Sequence, residues 1–256
     1  GEIAAQRLSI ARFYERRIRR IFPALFTVLI ATTVATWVLF MPPEFRLFGK
    51  SLALTAVFAS NIGFWQEAGY FDTVAQFKPL LHTWSLGIEE QFYLLFPLLL
   101  AGVNRFLPSR QALVIGLLTI VSFVFSAVWV YVSPDGAFFL LPARLWELGI
   151  GGTLAFTPAI SGWPPLRAAV VCASGLFLMG IAIFGFSEKT LFPGAAALVP
   201  CTGAALVIMA GAQRNGVSRV LGSRPLVLIG LVSYSLYLWH WPVFIISQYR
   251  QAHLLG

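Results

Sequence analysis

Apolar residues run along this chain in long blocks separated by short polar or proline-containing breaks. A helix that crosses a bilayer needs ~20 mostly apolar residues. Residues 21–41, 84–106, 111–132, 138–156, 167–186, 195–212 and 225–247 fall in that range, and 51–65 is a shorter stretch that either crosses or re-enters. Together these eight stretches predict an all-α fold, a polytopic helix bundle in a membrane. Pro42-Pro43 closes the first stretch, because proline has no N–H for the helix ladder and a fixed φ. Ser133-Pro134-Asp135-Gly136 reads as a turn. No internal repeat is visible.

The most informative break in the pattern is residues 77–100, FKPLLHTWSLGIEEQFYLLFPLLL. A charge at mid-helix costs ~2.5–3.5 kcal/mol on the insertion scale, whereas a Leu or Phe returns only ~0.3–0.6 kcal/mol. The Phe and Leu residues between Phe92 and Leu100 therefore return roughly 2–4 kcal/mol, less than two carboxylates in lipid would cost. Glu89 and Glu90 belong near the membrane edge or facing a polar cavity, where ionisable groups are functional candidates.

Composition supports the membrane reading. The chain is 58% hydrophobic and 11% charged, too apolar for a soluble domain. Its net charge of +8 does not argue for nucleic acid, since the basic residues outside the N-terminal segment sit mostly between apolar runs. Cys172 and Cys201 lie in apolar stretches and read as small buried hydrophobes. His82, His240 and His253 are too scattered for a metal site, so no metal is expected.

Arg7, Arg12, Arg16, Arg17, Arg19 and Arg20 crowd the first twenty positions, with Leu8, Ala11, Phe13, Tyr14 and Ile18 on the other side of a helix. We divide the chain into this basic, amphipathic cytoplasmic segment, 1–20, and a membrane domain, 21–256. The segment is not a signal peptide in character. It either lies on anionic lipid headgroups or clamps a phosphate ligand, since guanidinium groups bind phosphate bidentately. The start at Gly1 leads us to expect a piece of a longer protein.

Three further groups of polar residues interrupt the apolar pattern. Ser85, Glu89 and Tyr93 are spaced i, i+4, i+8, with His82 one turn earlier; a carboxylate can orient a histidine or take a proton from a hydroxyl. The bland alternative is a device for starting the helix, with solvated carboxylates. Arg144 and Glu147, spaced i, i+3, read as a structural ion pair. Ser233, Tyr237 and His240 share a face, with His240 between two interfacial tryptophans. Residue physics stops here, at a membrane protein with a polar intramembrane site, which fits a transporter as well as an enzyme.

Five motifs resemble the acyltransferase-3 family of membrane O-acetyltransferases: FYERRIRRIFPAL at 13–25, LLHTWSLGIEEQFYLLFPLLL at 80–100, ARLWELGIGG at 143–152, FPGAAALVPCTGAALVI at 192–208 and GLVSYSLYLWHWPV at 230–243. The WEL, FPG and WHWP forms are most similar to the subgroup with an added C-terminal hydrolase-like domain of the SGNH type, which these residues do not include.

The resemblance implies transfer of an acetyl or similar acyl group from acyl-CoA, most simply acetyl-CoA, to a hydroxyl of an envelope glycan such as polysaccharide or lipopolysaccharide. It also implies a multi-pass place in a bacterial inner membrane. Acyl-CoA, the glycan or lipid-linked glycan acceptor and membrane lipids are the implied partners, with no permanently bound cofactor. The family's Arg-x-x-Arg motif, thought to engage the coenzyme phosphates, maps to Arg17 and Arg20, with Arg16 and Arg19 as the shifted alternative. The Glu of its WSL-x-x-E motif maps to Glu89, for which we expect a catalytic role beside His82 and Ser85. Arg144, Glu147, Tyr237 and His240 are expected to brace the cavity.

The family's usual catalytic histidine lies in a first transmembrane helix upstream of the arginine motif. We expect that helix and the next to be missing here and the fragment alone to be inactive. The family's count of ten helices favours a true crossing at 51–65. Counting loop charges favours re-entry, because it keeps Arg214, Arg219 and Arg224 inside. The rival function is a transporter or flippase that moves a glycan or lipid-linked substrate without bond-making. A third is a non-catalytic scaffold.

Overall fold

The computed structural model describes residues 9–68, 78–157, 162–187 and 189–255, with side chains as far as Gln251. Its helices are α1 (Ile10–Leu39), α2 (Pro42–Ala56), α3 (Ser60–Glu67), α4 (Thr83–Phe106), α5 (Gln111–Val132), α6 (Pro134–Phe139), α7 (Leu141–Leu154), α8 (Pro165–Gly185), α9 (Leu198–Gly211), α10 (Gly216–Leu221) and α11 (Arg224–Leu255). No strand occurs among the described residues. The protein is an all-α membrane helix bundle, as the apolar blocks predict. Among the described residues five helices, α1, α4, α5, α8 and α11, are long and apolar enough to cross a bilayer.

Three of the eight apolar stretches take another form. Residues 51–65 are split between α2 and α3, because the chain breaks at Val57–Ala59 and Phe58 adopts φ 57°. Neither helix has spanning length. Residues 138–156 are split by the extended Leu140, and α7 restarts with proline in its first turn, where the missing N–H is harmless. The stretch at 195–212 gives the shorter α9. The turn expected at 133–136 is instead the start of α6, whose first turn is capped by Ser133 Oγ accepting from Gly136 N at 3.2 Å. At the N-terminus the basic segment and the first span form one helix. Ser9 caps α1, and the helix ends just before Pro42-Pro43. Arg7 and Leu8 lie outside the described residues.

The chain forms two compact units, residues 1–102 with 232–256, and residues 103–231. The first unit packs Leu25, Val28 and Leu29 of α1, Phe48 of α2, Leu80, Leu86 of α4 and Leu238 of α11 into one cluster. A polar seam runs beside it. Thr55 and Thr83 share a hydroxyl hydrogen bond of 3.0 Å, and Ser60 Oγ donates to the Thr83 carbonyl at 2.9 Å. Gln91 Nε2 donates to the Phe58 carbonyl at 2.9 Å and to Asn61 Oδ1 at 2.8 Å. Thr55, Ser60, Asn61 and Thr83 are buried. Away from water an unmet polar group costs several kcal/mol, on the order of 2–7, so these bonds fix how α2, α3 and α4 meet. They also hold Phe58 in its unfavourable left-handed conformation.

The second unit packs backbone on backbone. A Cβ at Gly175 of α8 would lie 2.6 Å from the Gly203 carbonyl oxygen of α9, and a Cβ at Gly203 would lie 2.6 Å from that of Gly175. Lipid tails are as apolar as Leu, so close approach at small residues, not exclusion of water, drives such pairing. Ser122 Oγ of α5 donates to the Pro142 carbonyl at 2.6 Å and accepts from Trp146 N at 3.0 Å, bridging one turn of α7.

Candidate functional site

The first unit assembles its charged centre from helices far apart in sequence. Arg17 of α1 meets Glu90 of α4, 73 residues away, side-on. Its Nε donates to both carboxylate oxygens at 3.0 and 3.1 Å, and Nη2 donates to Oε1 at 2.7 Å. The guanidinium carbon stands 3.2 Å from the centroid of the Tyr93 ring. Tyr14, one turn earlier on α1, donates its hydroxyl to the Leu94 carbonyl at 2.7 Å, pinning the two helices beside the pair. Tyr14, Arg17, Phe58, Glu90, Gln91 and Tyr93 line a cavity of about 210 Å³. Among the described residues Arg17 Nη1 has no hydrogen-bond partner, so the cavity holds a cation with donors to spare.

The other arginines are placed differently. Arg16 and Arg20 are exposed, and Arg19 pairs with Glu15 at 2.8 Å on its own helix. Of the arginines put forward as a phosphate clamp, only Arg17 lines the cavity.

A second cluster joins the start of α4 to α11. The Tyr237 hydroxyl donates to the His82 carbonyl and lies 2.9 Å from Ser85 Oγ. His240 Nδ1 sits 2.6 Å from the Tyr237 carbonyl, and the rings of His82 and His240 pack edge-on at 5.5 Å. His82 lies just before α4 and is buried, and among the described residues neither ring nitrogen has a hydrogen-bond partner. Burial, with the nearby His240, pushes its pKa down to about 3 against a smaller opposing pull from the Leu238 backbone. His82 is therefore a neutral and weak base at ordinary pH.

The stripe Ser85–Glu89–Tyr93 does not act as one face. Each i to i+4 step rotates about 40° around a helix. Ser85 consequently reaches Tyr237, Tyr93 lies under Arg17, and Glu89 between them is exposed, with no hydrogen bond or ion pair among the described residues. Glu90, a functional candidate beside Glu89 to which the sequence assigned no partner, takes the arginine. Glu67 forms a separate ionic link, to Lys50 at 2.8 Å and to Lys78. Burial pushes its pKa up, but the two ammonium groups outweigh burial and hold it below the usual carboxylate value.

In the second unit Arg144 and Glu147 form the local pair that their spacing predicts, at 3.0 Å. Arg144 Nε also donates to the Phe138 carbonyl at 3.0 Å, and the guanidinium sits 4.9 and 5.0 Å from the Phe138 and Phe192 rings. Cys172 and Cys201 are free thiols. No cluster of three metal-ligating side chains occurs among the described residues.

The geometry defines a class: a multi-pass, all-α membrane protein whose spanning helices bring an arginine–carboxylate pair to a cavity. The chain belongs to the acyltransferase-3 family, whose acyltransferase-domain model matches residues 4–255. It is 30% identical over 272 residues to the O-acetyltransferase OatA of Staphylococcus aureus (strain NCTC 8325 / PS 47), covering 97% of this chain and 43% of OatA. It is also 30% identical over 261 residues to YrhL of Bacillus subtilis (strain 168), covering 94% of this chain and 40% of YrhL. An uncharacterized protein of Haemophilus influenzae is 30% identical over 227 residues, with 84% and 92% covered. The chain thus spans about two-fifths of the length of OatA and YrhL. No solved structure matches it.

Proposed function

We propose that this chain is the membrane part of an O-acyltransferase that moves an acetyl or similar acyl group from acyl-CoA to a hydroxyl of an envelope glycan at a bacterial inner membrane. The observation that carries the reading is Arg17, a cation on a cavity wall with donors left over for an anionic ligand. Coenzyme A carries such anionic groups, and arginine is the side chain best suited to phosphate. OatA is named an O-acetyltransferase and YrhL is named for peptidoglycan O-acetylation, which favours a cell-wall glycan as acceptor.

In the reaction the acceptor oxygen bonds to the thioester carbonyl carbon, the carbon–sulfur bond breaks, and the hydroxyl proton must leave. Glu89, an exposed carboxylate on a spanning helix with no hydrogen bond or ion pair among the described residues, is the group we assign to receive that proton or to orient the group that does. His82, buried and hard to protonate, and Ser85, bonded to Tyr237, would hold the neighbouring backbone in place.

The test uses the full-length protein in membranes, measuring coenzyme A affinity and the O-acetyl content of cell-surface glycan. Arg17→Ala should weaken coenzyme A binding by about 10- to 100-fold, the worth of a lost hydrogen bond to a charged group. Glu89→Ala should abolish O-acetylation at equal expression. Unchanged coenzyme A affinity in Arg17→Ala would remove Arg17 from the donor site. A well-expressed parent that moves a glycan across the membrane and acetylates nothing would make the protein a transporter.

A further inference from the structure

We propose that Glu90 and Tyr93 are positioning residues for the donor-binding arginine: together they set the plane and free edge of Arg17. This rests on Arg17 as the residue that meets the coenzyme phosphates. A free arginine side chain on a cavity wall samples many rotamers and must lose that freedom on binding. Here the freedom is already removed. Glu90 takes the Nε–Nη2 edge with bonds of 2.7 to 3.1 Å, and the Tyr93 ring covers one face of the guanidinium at 3.2 Å. One edge and one face are occupied, and Nη1 remains without a hydrogen-bond partner among the described residues.

Glu90 and Tyr93 are three residues apart on α4, so one turn of one helix supplies both the bonding edge and the stacking surface. Tyr14 ties α1 to the Leu94 carbonyl one residue further along, and Gln91 ties α4 to the Phe58 carbonyl, so the backbone carrying this seat is itself held. Glu90 also balances the charge of Arg17 when no ligand is bound, which lowers the cost of keeping the cation in a poorly hydrated place. A phosphate then meets a guanidinium already aimed by its neighbours, and it does not need to displace the carboxylate to reach Nη1.

The proposal predicts that Glu90 acts only through Arg17, and a double-mutant cycle reads this directly. The full-length protein in nanodiscs would be compared as Arg17→Ala, Glu90→Ala, Glu90→Gln and the Arg17→Ala/Glu90→Ala double variant, with coenzyme A as the binding probe and acetyl-CoA for kinetics. Glu90→Ala should weaken coenzyme A binding about tenfold and raise the donor KM while leaving kcat nearly unchanged. Glu90→Gln, which keeps one acceptor oxygen, should lose less. The double variant should bind no more weakly than Arg17→Ala alone. Should Glu90→Ala fail to fold, Glu90→Gln and Tyr93→Leu carry the same cycle.

Losses that add in the double variant would overturn the proposal, because Glu90 would then act independently of Arg17. Tighter coenzyme A binding in Glu90→Ala would also overturn it, showing that the carboxylate competes with phosphate. If Arg17→Ala itself leaves coenzyme A affinity unchanged, the donor-site reading fails and this inference with it. A clear Arg17 effect with additive Glu90 losses sinks the inference alone.

Discussion

Each unit contains an arginine bonded to a glutamate beside aromatic rings, and the two arrangements differ in origin. Arg144 and Glu147 are three residues apart on α7, and the arginine is further tied to the Phe138 carbonyl and flanked by Phe138 and Phe192. Arg17 and Glu90 lie 73 residues apart, on α1 and α4, and their pair opens on a cavity. The local pair is tied to its own backbone and the rings of its own unit, which is the structure of a brace. The long-range pair stands on a cavity wall within reach of a ligand, which is the structure of a binding site. The same two side chains serve different ends according to whether their pair is local and enclosed by its own unit or long-range and open to a cavity.

That contrast can be broken by measurement. The largest effect expected is on stability in Arg144→Ala. Removing one partner of a buried pair leaves the other charge unmet and costs ~3–5 kcal/mol. Arg144 has only 9% of its side chain exposed and Glu147 19%, so Arg144→Ala should lower the thermal unfolding temperature in detergent while coenzyme A affinity stays at the parent value, whereas Arg17→Ala weakens that affinity. Weakened coenzyme A binding in a folded Arg144→Ala variant would erase the distinction between brace and site.

A smaller loss should follow Gly175→Val, which forces a side chain into the carbonyl of Gly203 across the α8–α9 contact. Overpacking of this kind costs ~1–3 kcal/mol. Coenzyme A affinity should stay at the parent value, since Gly175 belongs to the unit without the cavity; weakened binding at full stability would contradict that division.

The smallest effect is a pH slope, and it belongs to the first unit, because residues 103–231 contain no histidine. Folding holds His82 neutral with a pKa near 3, whereas the unfolded chain protonates it below 6.5. Unfolding therefore takes up a proton between those values. The contribution of His82 is fully present above pH 6.5 and is lost as pH falls toward 3. His82→Gln should flatten the fall in melting temperature between pH 6.5 and 5. An unchanged slope would mean that His82 is not buried as a neutral ring. Glu67, held below its usual pKa, adds a loss in the same direction but at lower pH, below about 4.5.

The sequence by itself determined the class of the protein. Blocks of apolar residues can satisfy their backbone in a bilayer only as helices, so an all-α membrane bundle followed from hydropathy alone. The motifs around Arg17, Glu89, Arg144 and His240 were enough for the family, and the i, i+3 spacing of Arg144 and Glu147 was enough for their pair, because both residues ride one helix.

Only the tertiary structure decided that Arg17 is the arginine bonded to a carboxylate of α4, and that the carboxylate is Glu90 and not its neighbour Glu89. Adjacent residues on a helix point about 100° apart, so the choice depends on how α4 is rotated against α1, and that rotation comes from packing among distant segments. It also decided that residues 51–65 and 138–156 break. The first break depends on Phe58 taking a left-handed backbone whose carbonyl is bonded by Gln91, thirty-three residues later. Such a conformation has no local signature in a phenylalanine, because the hydrogen bonds and packing that support it come from elsewhere in the chain.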